Sequence, residues 1–144
     1  MKQIKQLSLF VENRPGSLAE VSRVLKAANV NIYAATVADT SEFGILRLLL
    51  DDIAKGNEAL KAAGFITREN NVLAICVADQ VGGLAEVFDT TDKLGLSVEY
   101  MYAIPERFSD KAVIIFRFDN QDAAAEKLLS AGVKLLDYSA LCCN

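Results

Sequence analysis

Asn13-Arg14-Pro15-Gly16-Ser17-Leu18-Ala19-Glu20-Val21 returns sixty-six residues later as Asp79-Gln80-Val81-Gly82-Gly83-Leu84-Ala85-Glu86-Val87. Self-similarity at a fixed offset marks a structural unit written twice. What recurs is a turn that opens onto a helical pattern. The first N–H groups of a helix have no intrahelical partner and carry partial positive charge, so this is a place where anions and small polar ligands sit.

Working outward, Leu7, Leu9 and Val11 alternate with Ser8, Phe10 and Glu12, the period of a two-faced strand. Beyond the turn, Ser17 and Glu20 have the spacing of a capping box. Leu18, Val21, Val24, Leu25 and Ala28 form a helical stripe that Asn29 terminates. Residues 32–38 and 44–50 read as strands joined through residues 39–42. Asp51-Asp52 caps a second helix, which Gly64 closes, and residues 65–69 form a fourth strand. The second half repeats the order. Residues 72–77 form a strand and Asp79 to Gly82 the turn. Leu84, Val87, Phe88, Thr91 and Leu94 make the helix stripe, with Gly95 as its stop. Residues 96–104 and 113–118 are strands around a hairpin loop at 105–110. Asn120 or Asp122 caps a helix ending at Gly132, and residues 133–138 are the last strand. The offset is 66 before the hairpin and 68 after it, which assigns the second copy a hairpin loop two residues longer.

Each half is therefore βαββαβ. This order gives an α+β, ferredoxin-like module: four antiparallel strands with two helices on one face. The modules are expected at residues 1–70 and 71–144, with Asn70-Asn71 as the boundary. Their exposed strand edges call for pairing, so the two sheets are expected side by side.

Composition narrows the function. Apolar residues make up 52% of the 144-residue chain and charged residues 24%, a packed composition without disorder bias. No apolar stretch is long enough for a membrane span, and residues 1–6 lack the apolar core of a signal peptide; a cytoplasmic location is expected. The net charge of −4 divides into +1 over residues 1–70 and −5 over 71–144. No basic stripe is present to neutralise phosphates, so nucleic acid is not an expected partner. There is no histidine, which removes histidine-based triads, bases and metal sites. Cys76 lies in an apolar run and reads as a core residue. Cys142-Cys143 has no metal-like spacing. Neither a cofactor nor a metal is expected.

The turn supplies helix N–H groups for a carboxylate and, in Asn13 and Asp79, side-chain acceptors for an ammonium. Together these are the minimal equipment for a free amino acid. Glycine, Asn and Asp also serve such turns for purely conformational reasons. Val11 to Leu18, followed by Val30-Asn31-Ile32, resembles the signature of the ACT domain, a family of small βαββαβ regulatory modules that bind amino acids between two copies. The first half is similar to the serine-binding regulatory domain of phosphoglycerate dehydrogenase. The second half matches less closely, through Asp79, Gly82, Leu84 and the repeated helix.

The resemblance implies ligand-binding roles for Asn13 and Asn31, and for Asp79 and Ser97 at the corresponding second-half positions. Val11 stands where that domain has a ligand-binding histidine, a departure that bears on serine as ligand. Sites of this family are composite. The implied sets are Asn13, Arg14, Pro15, Gly16, Ser17 and Leu18 facing Ser97 and Val98, and Asp79, Val81, Gly82, Gly83 and Leu84 facing Asn31 and Ile32.

Arg14 could suggest an acylphosphatase-like enzyme, but the short Pro-containing turn offers no phosphate cradle. Tyr100 and Tyr102 share a face opposite Met101 and read as sheet packing or as a ligand-facing aromatic wall, with Glu99 as an edge charge or a ligand contact. The expected function is a non-enzymatic sensor that binds a free amino acid at a module interface, as a homo-oligomer such as a dimer. The alternative is a regulatory subunit docked on an amino-acid biosynthetic enzyme, as the acetolactate synthase small subunit is.

Overall fold

The alternation around Leu7, Leu9 and Val11 forms β1 (Ile4–Glu12), and these three side chains are buried on one face. The computed structural model describes residues 3–39, 42–108 and 111–142. The chain divides into two compact units, Lys5–Asn70, and Asn71–Asn144 with Met1–Ile4.

In the first unit, α1 (Ser17–Ala27) follows β1. Asn29 ends it in the left-handed region at φ 57°, the one non-glycine residue with positive φ among the described residues. Its N–H donates to Lys26 O, and that of Val30 to Leu25 O, which satisfies the carbonyls at the helix end. Next come β2 (Ile32–Asp39), β3 (Phe43–Leu50) and α2 (Ile53–Ala62). β3 pairs antiparallel with β1 on one side and β2 on the other. Leu9 lies opposite Leu46, and Leu7 opposite Leu48. Residues four apart on a helix share a face, so Val21 and Leu25 turn together onto these leucines, and Leu60 of α2 joins them. Gly56 lets α2 lie close, since a Cβ there would come within 2.5 Å of Leu50 Cδ1.

The second unit repeats this core position by position. β4 (Thr67–Ala78) contributes Leu73, Ile75 and Val77. α3 (Gly83–Lys93) packs Leu84 and Val87 against them. β5 (Val98–Phe108) and β6 (Lys111–Phe118) form a hairpin whose core side chains are Met101, Ile114, Phe116 and Phe118. α4 (Gln121–Ser130) supplies Ala124, Ala125 and Leu128. Phe116 and Phe118 stack at 5.8 Å, and Phe88 meets Phe116 edge-on at 6.3 Å. Where α1 has Leu25, α3 has the buried Thr91. Its hydroxyl donates to Phe88 O at 2.9 Å, which meets its hydrogen-bonding need inside an apolar core. β6 lies between β5 and β4, and β7 (Leu135–Leu136) pairs antiparallel with β4 on its other side.

Several expectations are corrected. The strands expected at 65–69 and 72–77 are one strand, β4; Asn70 and Asn71 stay extended in its middle, because neither residue forbids β geometry. The expected hairpin loop at 105–110 is strand as far as Phe108, and Ser109 and Asp110 lie outside the described residues. The two extra residues are taken up inside β5 instead. Ala103 pairs with Ile114 and Arg107 with Ala112, so four steps on β5 match two on β6. Pro105 falls in this bulge, where a residue without an N–H costs no ladder bond. The last strand is only Leu135–Leu136, and a short helix α5 (Tyr138–Cys142) replaces its remainder. There Asp137 acts as a cap, accepting from Ala140 N at 3.1 Å. Cys76 is half-buried rather than deep in the core. Cys143 and residues 40–41 lie outside the described residues.

Asp52 and Asn120 cap α2 and α4, accepting from Lys55 N at 3.0 Å and Ala123 N at 3.2 Å. Asp52→Ala and Asn120→Ala should each cost about 1 kcal/mol, and Leu48→Ala about 2–5 kcal/mol, read as shifts of the urea midpoint.

Candidate functional site

The two repeated turns share one backbone. In the first, Arg14 N donates to Glu12 O, Ser17 N to Arg14 O and Glu20 N to Gly16 O. In the second, Gln80 N donates to Ala78 O, Gly83 N to Gln80 O and Glu86 N to Gly82 O. Gly16 and Gly82 occupy the left-handed region at φ 90° and 85° as the N-caps of α1 and α3. Only glycine adopts this geometry without strain.

Neither cap offers a side-chain hydrogen bond to the first helical N–H groups. α2 and α4, by contrast, have Asp52 and Asn120 in that role. The expected capping box at Ser17 is therefore overturned. Ser17 is the first helical residue, not the cap, and it is only 7% exposed. Its buried Oγ has no hydrogen-bond partner. Glu20, the other half of the expected box, turns outward to Arg14.

Arg14 organises the charge of the first turn. Its Nε lies 2.8 Å from Glu12 Oε2, and its Nη2 3.4 Å from Glu20 Oε2. The hydrogen bond from Arg14 to Glu12, with Glu20 adding to it, raises the guanidinium above its usual pKa, so the group stays charged. All three side chains are well exposed, and exposed ion pairs contribute little stability. Their effect is to hold one positive and two negative charges at the mouth of the turn. The second turn has Ala78, Gln80 and Glu86 at these positions and carries no such triad.

Asn13 is held between strands. Its N–H donates to Glu42 O at 3.2 Å, and a Cβ on Gly44 would come within 3.3 Å of its Oδ1. At the other copy, Gly83 is forced by contact rather than by φ: a Cβ there would fall 2.0 Å from Ala78 O. α3 thus starts closer to its strand than a side chain allows, whereas α1 accommodates Ser17 at the matching position.

Within the first unit the expected residues divide between two cavities. Arg14 and Ser17 line one of about 300 Å³, together with Phe10, Val11, Phe43, Phe65 and Ile66. Asn31 and Ile32 line another of about 420 Å³, with Ser22, Lys26 and Asp51. The two lie at opposite ends of α1, whose eleven residues span about 16 Å. Asn31 is fixed by a reciprocal pair of bonds, its N–H donating to Asp51 Oδ1 at 2.9 Å and Asp51 N donating to Asn31 O at 3.1 Å.

Pro15 and Gly16 are exposed in the turn, and Leu18, expected in the buried stripe, is 49% exposed; Ser17 takes the buried position instead. In the second unit, Asp79, Val81, Gly82, Gly83 and Leu84 gather at the start of α3. Ser97 and Val98 lie at the start of β5, beyond the far end of that helix. Glu12, Phe10, Phe43, Phe65 and Ile66 were not anticipated at the site. Glu12, two residues before Arg14, was the one available signal.

Elsewhere, Glu99 pairs with Arg117 at 3.7 Å, and Tyr102 is buried on the sheet face opposite Met101. Among the described residues no helix is long and apolar enough to cross a membrane.

Residues 2–142 match the family model described as an ACT domain pair. The chain is similar in structure to protein BT0572 from Bacteroides thetaiotaomicron, at 36% identity over 97% of this chain and 96% of that one, with a TM-score of 0.89. It shares its fold with the regulatory subunit of aspartate kinase from Thermus thermophilus, at 15% identity over 91% and 93% of the chains and a TM-score of 0.61. The regulatory subunit from Thermus flavus gives 17%, 92% and 94%, and 0.60. No curated protein matches the chain.

The glycines of the two turns should respond differently to substitution. Gly83→Ala meets a backbone carbonyl and should cost about 1–3 kcal/mol, displacing α3 and shifting amide resonances along β4. Gly16→Ala meets nothing within 4 Å and should cost only the left-handed conformation, about 1 kcal/mol. Chemical denaturation and amide spectra of the two variants check this.

Proposed function

Because the chain belongs to the ACT domain pair family, we propose that it is a cytoplasmic regulatory protein that binds a free amino acid and catalyses no reaction itself. The observation that carries this reading is the contrast in helix capping. α2 and α4 have side-chain caps, while the helices behind the repeated turns, α1 and α3, leave their first N–H groups without one. Such N–H groups suit a carboxylate. Asn13 and Asp79 supply oxygen acceptors beside them for an ammonium.

In this reading the modules are residues 1–70 and 71–144. The turn of one module, Asn13 to Leu18 or Asp79 to Leu84, holds the ligand's charged groups. The start of a facing module's second strand, Ser97 and Val98 for the first turn and Asn31 and Ile32 for the second, completes the site. A ligand gripped by two modules stabilises their joined state, and the shift is limited by its differential affinity for that state. The fold shared with aspartate kinase regulatory subunits supports a second reading, a non-catalytic subunit that docks on an amino-acid biosynthetic enzyme.

A thermal-shift screen of the twenty amino acids separates these readings. A ligand at a hundredfold excess over Kd should raise Tm by about 5–10 °C. At least one of Asn13→Ala and Asp79→Ala should abolish that rise. No shift with any amino acid, together with co-purification of an enzyme, selects the subunit reading.

A further inference from the structure

The geometry points to one selective site per chain, in the groove beside the first turn, that takes an amino acid with a large apolar side chain and excludes small polar and dicarboxylic ones. This rests on the amino-acid-binding reading above. The groove, about 300 Å³, has two kinds of lining. One is apolar, Phe10, Val11, Phe43, Phe65 and Ile66, none of which carries a side-chain donor or acceptor. A hydroxyl, amide or carboxylate entering there would lose water without replacement. An apolar side chain would instead remove from water Phe10, Phe43 and Ile66, which are 59%, 48% and 76% exposed.

The other kind is polar, at the uncapped start of α1. Here Ser17 is more than nine-tenths buried, its Oγ lacks any partner, and the residue lines the same groove. The hydroxyl and the helix N–H groups together suit a single carboxylate. Arg14 lies between Glu12 and Glu20, so this lining carries one positive and two negative side chains. That balance receives an ammonium and opposes a second carboxylate.

The second module has different residues at the key positions. The positions of Phe10, Phe43 and Ile66 become Cys76, Lys111 and Lys134, and those of Arg14 and Ser17 become Gln80 and Gly83. Three of the five apolar wall positions, two of the three charges and the hydroxyl are replaced, while Val77, Val133, Glu86 and the turn backbone are retained.

The test is isothermal titration calorimetry of the full chain with L-leucine, L-isoleucine, L-phenylalanine, L-serine and L-aspartate, backed by a thermal-shift screen of all twenty amino acids. One of the three apolar ligands should bind at one per chain, with serine and aspartate at least tenfold weaker. Phe10→Gln and Phe43→Gln replace exposed side chains. Each should keep the ligand-free Tm and lose roughly tenfold or more in affinity, while Lys134→Gln changes nothing. Tighter binding of serine or aspartate, two ligands per chain, or an apolar ligand indifferent to both Phe variants would overturn the inference and leave the amino-acid reading standing. No binding by any of the twenty would overturn the reading itself, and the inference with it.

Discussion

A left-handed glycine between a strand and a helix is the constraint on which each module depends. At φ 90° and 85°, Gly16 and Gly82 reverse the chain within a few residues. The helix is thereby laid back over the strand it has just left, close enough for Val21 and Leu25, or Leu84 and Val87, to reach the strand's buried side chains. The same geometry gives the helix a cap without a side-chain oxygen. The packing of the helix and its lack of a side-chain cap thus have a common origin in this turn.

The two copies show how far side chains diverge while a backbone is held. Three hydrogen bonds recur between corresponding atoms in both turns. The strand positions of Leu7, Leu9 and Val11 recur as Leu73, Ile75 and Val77, and those of Leu46, Leu48 and Leu50 as Ile114, Phe116 and Phe118. Larger rings in the second core are accompanied by a closer helix start, where Gly83 leaves no room for a Cβ. The first module keeps Ser17 there and has the exposed charges and aromatic rings around it. Core positions tolerate exchange within the apolar class because volume and face are what they must supply. Around the first turn, by contrast, Phe10, Glu12, Arg14, Phe43 and Ile66 give way to Cys76, Ala78, Gln80, Lys111 and Lys134, a change of class at each.

Much of the architecture was legible in the residues. Alternation places β1 with its buried face inward, and Asn29, Gly64, Gly95 and Gly132, which read as helix stops, all have positive φ. Of the caps read as Asp51-Asp52 and as Asn120 or Asp122, Asp52 and Asn120 take the role. The misread strand ends share one cause. Asn70-Asn71 and Pro105 look like breaks to local propensity and residues 137–138 look like strand, yet whether a strand continues depends on its pairing partner. Ser17 and Glu20 have the right spacing for a capping box, but Gly16 takes the cap position one residue earlier, so the spacing meets the wrong atoms.

The sequence by itself determined the duplication, the βαββαβ order of each copy, most of the core positions and the place of the repeated turn. All of these are encoded by local periodicity and by residues with restricted or special backbone preferences. Only the tertiary structure decided that Arg14 stands between Glu12 and Glu20, that Ser17 is buried with an unpartnered hydroxyl, and that Phe10, Phe43, Phe65 and Ile66 wall one groove. These residues lie as many as fifty-six positions apart in the chain. Periodicity specifies which face a side chain takes. What it meets there is specified by the strand register and by the antiparallel run of α2, which returns Phe65 and Ile66 to the end where α1 begins.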